Sequence, residues 1–134
     1  MRDRVEEALE RHAKGYNCCQ AVACVFAEEL GYKEDTVFRL AEGFGAGMGG
    51  MQCTCGAVSG AVMVAGMKNS TGAGLPKSKG ATYKLSKDVV ESFRQKNDSV
   101  ICSELKGIET RKVLRSCDGC IEDAVRIAEK VLGL

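Results

Sequence analysis

Asn17-Cys18-Cys19-Gln20-Ala21-Val22-Ala23-Cys24-Val25-Phe26-Ala27-Glu28-Glu29-Leu30 is the stretch whose periodicity decides the fold. Cys18, Ala21, Val22, Val25, Phe26 and Leu30 recur at helical spacing, Asn17 offers an N-cap oxygen, and the run ends before Gly31. At about 100° per residue, Cys18 and Cys19 belong to the inward stripe, whereas Cys24 is expected on the opposite side with Gln20 and Glu28.

The same period extends in both directions. Val5, Ala8, Leu9 and Ala13 predict a first helix over residues 2–14, stopped by Gly15. Asp35 or Thr36 is expected to cap a third helix carrying Val37, Phe38, Leu40 and Ala41, and the glycine-dense run Gly43 to Gly50 forces a sharp bend after it. Beyond Met51-Gln52-Cys53-Thr54-Cys55, the segment Gly56 to Gly66 has few side chains larger than Val, so a helix there lets its neighbours approach closely. Residues 70–82, with Gly72, Gly74, Pro76 and Gly80, carry loop chemistry and are the expected mobile region, without a domain boundary. Leu85, Val89, Val90 and Phe93 mark another amphipathic helix, and Val125, Ala128, Val131 and Leu132 mark the last. Strand-like alternation is absent. The expectation is an all-α, compact, single-domain bundle of about five to six helices over residues 1–134.

A chain of 134 residues buries a core without covalent staples, so its cysteines are not required for folding. The formal charge of +1 provides no field for nucleic acid or an anionic membrane. The apolar run from Gly56 to Gly66 is too short for a bilayer, which takes about 20 residues. Charged residues in Met1-Arg2-Asp3-Arg4-Val5-Glu6-Glu7 replace the apolar run of a secretion signal, so a cytoplasmic location is expected. In a reducing compartment, cysteines in this number serve as metal ligands or redox thiols more often than as permanent bridges.

A functional thiol needs surroundings that stabilise its anion, and helix N-termini provide them. Cys55 stands where the glycine-rich loop meets a small-residue helix and is the leading nucleophile, although a free cysteine at such a place also packs well as a small hydrophobe. Cys117-Asp118-Gly119-Cys120 is a CxxC at a helix start, with Ser116 as N-cap, suited to a redox pair or a metal knuckle. The strand-helix-strand context of a thioredoxin is missing, and Ile121 stands where a c-type haem motif has His. Cys53 and Cys55 are too close for an easy mutual bridge, which points to separate partners or a shared metal. Gly45, Gly47 and Gly50 match GxGxxG formally, without the preceding strand a dinucleotide needs. His12, the only histidine, is expected to pack at a helix edge, and Lys77, Lys79, Lys84 and Lys87 to form a solvated basic cluster. Met48 and Met51 are soft side chains able to line a thiol pocket.

These residues resemble the family of redox-active proteins known as C_GCAxxG_C_C, small chains with a CGAxxG motif and four separated cysteines. The motif here is Cys55-Gly56-Ala57-Val58-Ser59-Gly60, and the likeness extends through Gly15 to Val22, the Gly43 to Gly50 loop, Cys102-Ser103-Glu104-Leu105-Lys106-Gly107, and Cys117 with Ile121 and Ala124. Position by position, the resemblance assigns the four family cysteines to Cys18, Cys55, Cys102 and Cys117, leaving Cys19, Cys24, Cys53 and Cys120 as additions. Of these, Cys19, Cys53 and Cys120 are secondary site thiols.

Three functions fit. In the first, the Cys55 thiolate attacks a disulfide or oxidant and Cys18, Cys102 or Cys117 resolves the intermediate, a thiol-disulfide oxidoreductase-like activity serving a redox partner protein or small thiol. In the second, Cys18, Cys55, Cys102 and Cys117 enclose zinc or an iron–sulfur cluster. In the third, the cysteines only fill the core of a helical interaction domain. The placing of cysteines near helix starts argues against the third, and spacing that matches neither a ferredoxin run nor the regular CxxC pairs of a zinc ribbon weighs against the second, which favours the first.

Overall fold

The computed structural model describes residues 3–134. Arg2, the first residue of the expected opening helix, lies outside them. The described residues form seven α-helices: α1 Arg4–Ala13, α2 Cys18–Ala27, α3 Glu34–Ala41, α4 Gly56–Asn69, α5 Lys79–Asn97, α6 Cys102–Lys106 and α7 Cys117–Leu132. Extended pairing among them is limited to an isolated antiparallel bridge between Thr54 and Ile101. The all-α fold is as expected, with one short helix, α6, added because five residues carry no period to detect.

Local signals fix the helix starts. Asn17 and Gln20 form a reciprocal capping box on α2, each side chain bonded to the other's backbone N–H at 2.9 Å. Ser116 accepts from Gly119 N at 3.0 Å at the head of α7, and Asp3 accepts from Val5 N at 3.1 Å ahead of α1. Three boundaries and faces differ from expectation. Helix α3 begins at Glu34 after Lys33, because Asp35 turns outward to Arg39 at 2.9 Å and neither it nor Thr36 caps. The loop after α4 ends at Ser78; Lys79 and Gly80 belong to α5, where a glycine costs only about 1 kcal/mol of a 19-residue helix. Cys24, expected on an outer face, is 2% exposed and packs with Ala23, Ala27 and Val37, because α3 lies across that side of α2. Gln20 is buried there too, donating to Phe38 O at 3.0 Å.

Helix α4 is the centre of the bundle and packs against α2, α5 and α7. Val58, Val64, Phe26, Phe93, Ile121 and Val125 are fully buried around it. Its contact with α2 is backbone-close: a Cβ on Gly60 would stand 2.8 Å from Cys19 O and 3.0 Å from Val22 Cβ. Gly66, two turns on, faces open space. The consequence is opposite signs for one substitution. Gly60→Ala should lose about 1–3 kcal/mol through overpacking, and Gly66→Ala should gain about 0.5–1 kcal/mol from helix propensity; urea unfolding of both variants measures the difference.

Asp123 ties α7 to α5 and to the segment before α7. Its buried carboxylate accepts from Lys96 Nζ at 2.6 Å, Asn97 Nδ2 at 3.1 Å, and Arg115 Nε and Nη2 at 3.0 and 3.2 Å. Burial works to raise its pKa, but the donors of Lys96, Arg115 and Asn97 together outweigh it and hold the acid below its usual range. A depressed acid contributes stability that is present above its unfolded pKa and lost as pH falls through the folded one. Asp123→Asn should therefore cost about 2–3 kcal/mol at pH 7, less than a fully buried pair because Lys96 and Arg115 reach water, and the difference from wild type should shrink as the pH of the urea titration falls below about 4.

Candidate thiol site

Four cysteines stand at the heads of four different helices. Cys18 opens α2, Cys102 opens α6, Cys117 opens α7, and Cys55 is the residue immediately before α4. All four line one cavity of about 180 Å³, and Cys120, one turn into α7, completes its sulfur lining. The convergence has identifiable causes. Cys55 N donates to Val100 O at 2.7 Å and Cys102 N to Cys53 O at 2.9 Å, which joins the starts of α4 and α6 through the Thr54–Ile101 bridge. The glycine-rich loop closes over this joint, where Gly47, at φ +57°, leaves no space for a side chain: a Cβ would lie 2.5 Å from Cys102 Cβ. Gly56 lets Cys18 approach in the same way, its Cβ position being 3.4 Å from Cys18 Cβ.

The sulfurs are not equivalent. The neighbouring Cys120 thiol, with the backbone N–H groups of Ala57 and Val58 at the head of α4, brings the Cys55 thiol down to about 7 despite burial. Cys120, beside Cys55 and itself buried, is pushed far up. Cys18 is raised to about 12 by burial and by the sulfurs of Cys117 and Cys55. The neighbouring sulfurs of Cys117, Cys102 and Cys18 outweigh the burial of Lys106 and raise its pKa. Burial raises Cys102. Two neighbouring thiol pairs thus share the cavity, Cys120 with Cys55 and Cys18 with Cys117.

The remaining cysteines go elsewhere. Cys53 is exposed, so the two thiols of the Cys53-Thr54-Cys55 run part company. Cys19 is fully buried, its thiol 3.6 Å from Met63 Sδ, and Cys24 points its thiol at Glu34 O, 3.8 Å away. Burial lifts both to about 12, leaving them packing residues at neutral pH. The CxxC thiols have different neighbours, Cys117 acting on Cys18 and Cys120 on Cys55. Met48 is exposed, and the loop residue that lines the cavity is Ala46.

The sequence reasoning left out three polar residues of the cavity wall: His12, Lys106 and Arg115. His12 Nδ1 lies 2.8 Å from Asp118 Oδ1, linking α1 to the first turn of α7. A signal existed, since Val5, Ala8 and His12 share one helical face and the first two are buried. Lys106 lies one helical turn past Cys102 and was readable as its neighbour once α6 was known. Arg115 is held by Asp123, so only the fold places it. Among the described residues no group of three or more His, Cys, Asp or Glu is arranged to hold a metal ion, and no helix is long and apolar enough to cross a membrane.

No curated protein and no solved structure matches the chain. A family model does, over residues 16–131, under the description "Putative redox-active protein (C_GCAxxG_C_C)". The matched span runs from before α2 to the penultimate residue of α7 and includes every cysteine of the cavity. This chain belongs to the C_GCAxxG_C_C family.

Proposed function

We propose that the protein is a thiol redox module that works by dithiol–disulfide exchange in the five-cysteine cavity, within a reducing cytoplasm. The observation that carries this reading is that Cys55, alone among the buried cysteines, has surroundings that favour the thiolate, and that a protonated thiol, Cys120, lies against it. Exchange requires a thiolate and a second sulfur in direct reach, and the pair supplies both. Cys55 is the nucleophile; Cys120 joins Cys18, Cys102 and Cys117 as the thiols able to resolve what it forms. The electron donor or acceptor is a redox partner protein or a small thiol.

Zinc or an iron–sulfur cluster would have Cys18, Cys55, Cys102 and Cys117 for ligands. A closed site of that kind asks four sulfurs to face one point, and among the described residues no three of them are grouped to hold a metal ion. That arrangement supports exchange chemistry.

Alkylation of the reduced protein with iodoacetamide, followed site by site by peptide mass spectrometry, tests the assignment. Cys55 should react with a pH midpoint of about 7, and Cys18, Cys19 and Cys24 should stay unreactive up to pH 9, since burial holds each near 12. Equal reactivity among the buried cysteines at pH 7 would refute it. Cys120→Ala removes a donor and should move the Cys55 midpoint upward by about one unit; Cys120→Ser, which keeps a donor, should restore most of the shift.

A further inference from the structure

The two thiol pairs differ in access. Cys18 and Cys117 are partly exposed, whereas Cys55 and Cys120 are 5% and 2% exposed. The Cys55–Cys120 pair therefore has the most activated thiolate of the cavity and the least surface from which a partner can be met. The two pairs line one cavity, and Cys18 Cβ lies against Gly56, the residue next to Cys55. Lys106, in the same wall as Cys117, carries an ammonium suited to holding a thiolate when one is released there.

We infer that the cavity is a two-stage relay, in which the Cys18–Cys117 pair exchanges with the redox partner and the Cys55–Cys120 pair behind it receives and stores the bridge. This rests on the thiol redox reading and adds an order of events to it. In the first stage, the Cys117 thiolate attacks a disulfide of the partner and releases one of its sulfurs as a thiolate. Cys18 then attacks Cys117 Sγ, passing its proton to the second sulfur that leaves; the partner is reduced and a Cys18–Cys117 bridge is made. In the second stage, the Cys55 thiolate attacks Cys18 Sγ and displaces Cys117 as a thiolate held by Lys106. Cys120 then gives up its proton to that thiolate and attacks Cys55 Sγ, displacing the Cys18 thiolate. The second stage moves a bridge without net oxidation, so it consumes no further oxidant, and the outer pair is again free to meet a partner. The module holds two bridges when fully oxidised. Cys120, an addition to the four family cysteines, is what gives the inner stage its resolving thiol.

The test uses the full chain, reduced without oxygen and treated with glutathione disulfide as the probe, with acid quenching, alkylation and mapping of bridges by non-reducing digestion. With one equivalent, the bridge should appear first between Cys18 and Cys117 and migrate to Cys55 and Cys120. With excess, the protein mass, corrected for glutathione carried on the exposed Cys53, should fall by about 4 Da, two hydrogens for each of two bridges. Cys120→Ser should lose only about 2 Da, and Cys117→Ser should slow the first oxidation at least about tenfold. A Cys55–Cys120 bridge that forms first, and at the wild-type rate in Cys117→Ser, would overturn the relay while leaving the thiol redox reading intact. A wild-type protein that forms no reversible bridge would sink both.

Discussion

The close approach of α4 to α2 is the contact on which the rest of the structure depends. Gly56 and Gly60 have no Cβ; at Gly60 the α2 backbone occupies the space one would need, and at Gly56 a Cβ would stand 3.2 Å from Cys19 N and 3.4 Å from Cys18 Cβ. Two helices that touch through glycine have their heads close as well, so the first residue of α2 and the residue before α4 meet: Cys18 and Cys55. The start of α6 is then bolted alongside by Cys102 N donating to Cys53 O, and α7 packs its first turns against the same core through Cys120, Ile121 and Ala124. One packing constraint thus gathers four helix heads, each with the positive end of its dipole, around a single small cavity.

That arrangement separates cysteines that composition treats alike. A thiol buried in apolar surroundings resists ionisation, and Cys19 and Cys24, each near 12, show what this fold does to a thiol that has only packing neighbours. Cys55 is as deeply enclosed but near 7, because a thiol and two backbone donors face it. A gap of about five units corresponds to roughly 10⁵ in the population of the thiolate at neutral pH. Eight cysteines are therefore not eight reactive groups, and the difference lies in donors that only the tertiary structure brings together.

The chain's own pattern made much of this legible. Asn17 with Gln20, and Ser116 ahead of Cys117, are short-range signals whose partners lie within three residues, and both caps form. The cysteines at the helix heads follow from those caps and from the glycine-rich run before Cys55. What stayed hidden depends on contacts far apart in the chain. Helix α2 is buried on two sides, so a single apolar stripe wrongly turned Cys24 and Gln20 outward. Cys120 looked like the second member of a local CxxC, yet its partner is Cys55, 65 positions away in the chain. Arg115 enters the cavity wall through its bonds to Asp123, which no periodicity in the segment before α7 announces, and the period of α1 puts His12 on the buried face without telling of its bond to Asp118.

The unequal surroundings of the sulfurs decide what the cavity is suited to do. Five thiols in a small space invite a metal, but a metal asks every sulfur to be a thiolate at once, and like charges crowded together at low dielectric oppose that without the ion present. Here the protein divides the sulfurs by surroundings: burial holds Cys18 as a thiol, Cys55 and burial hold Cys120 as one, and the Cys120 thiol with the N–H groups of Ala57 and Val58 favours the anion at Cys55. A thiol beside a thiolate is one proton transfer away from the nucleophile of an exchange reaction, and the thiolate is already the sulfur it would bridge to. Keeping the proton on Cys120 holds the inner pair in its reduced form without stacking anions, and Lys106, in the cavity wall with Cys117 at the more open pair, meets the charge that appears when a bridge is made or broken.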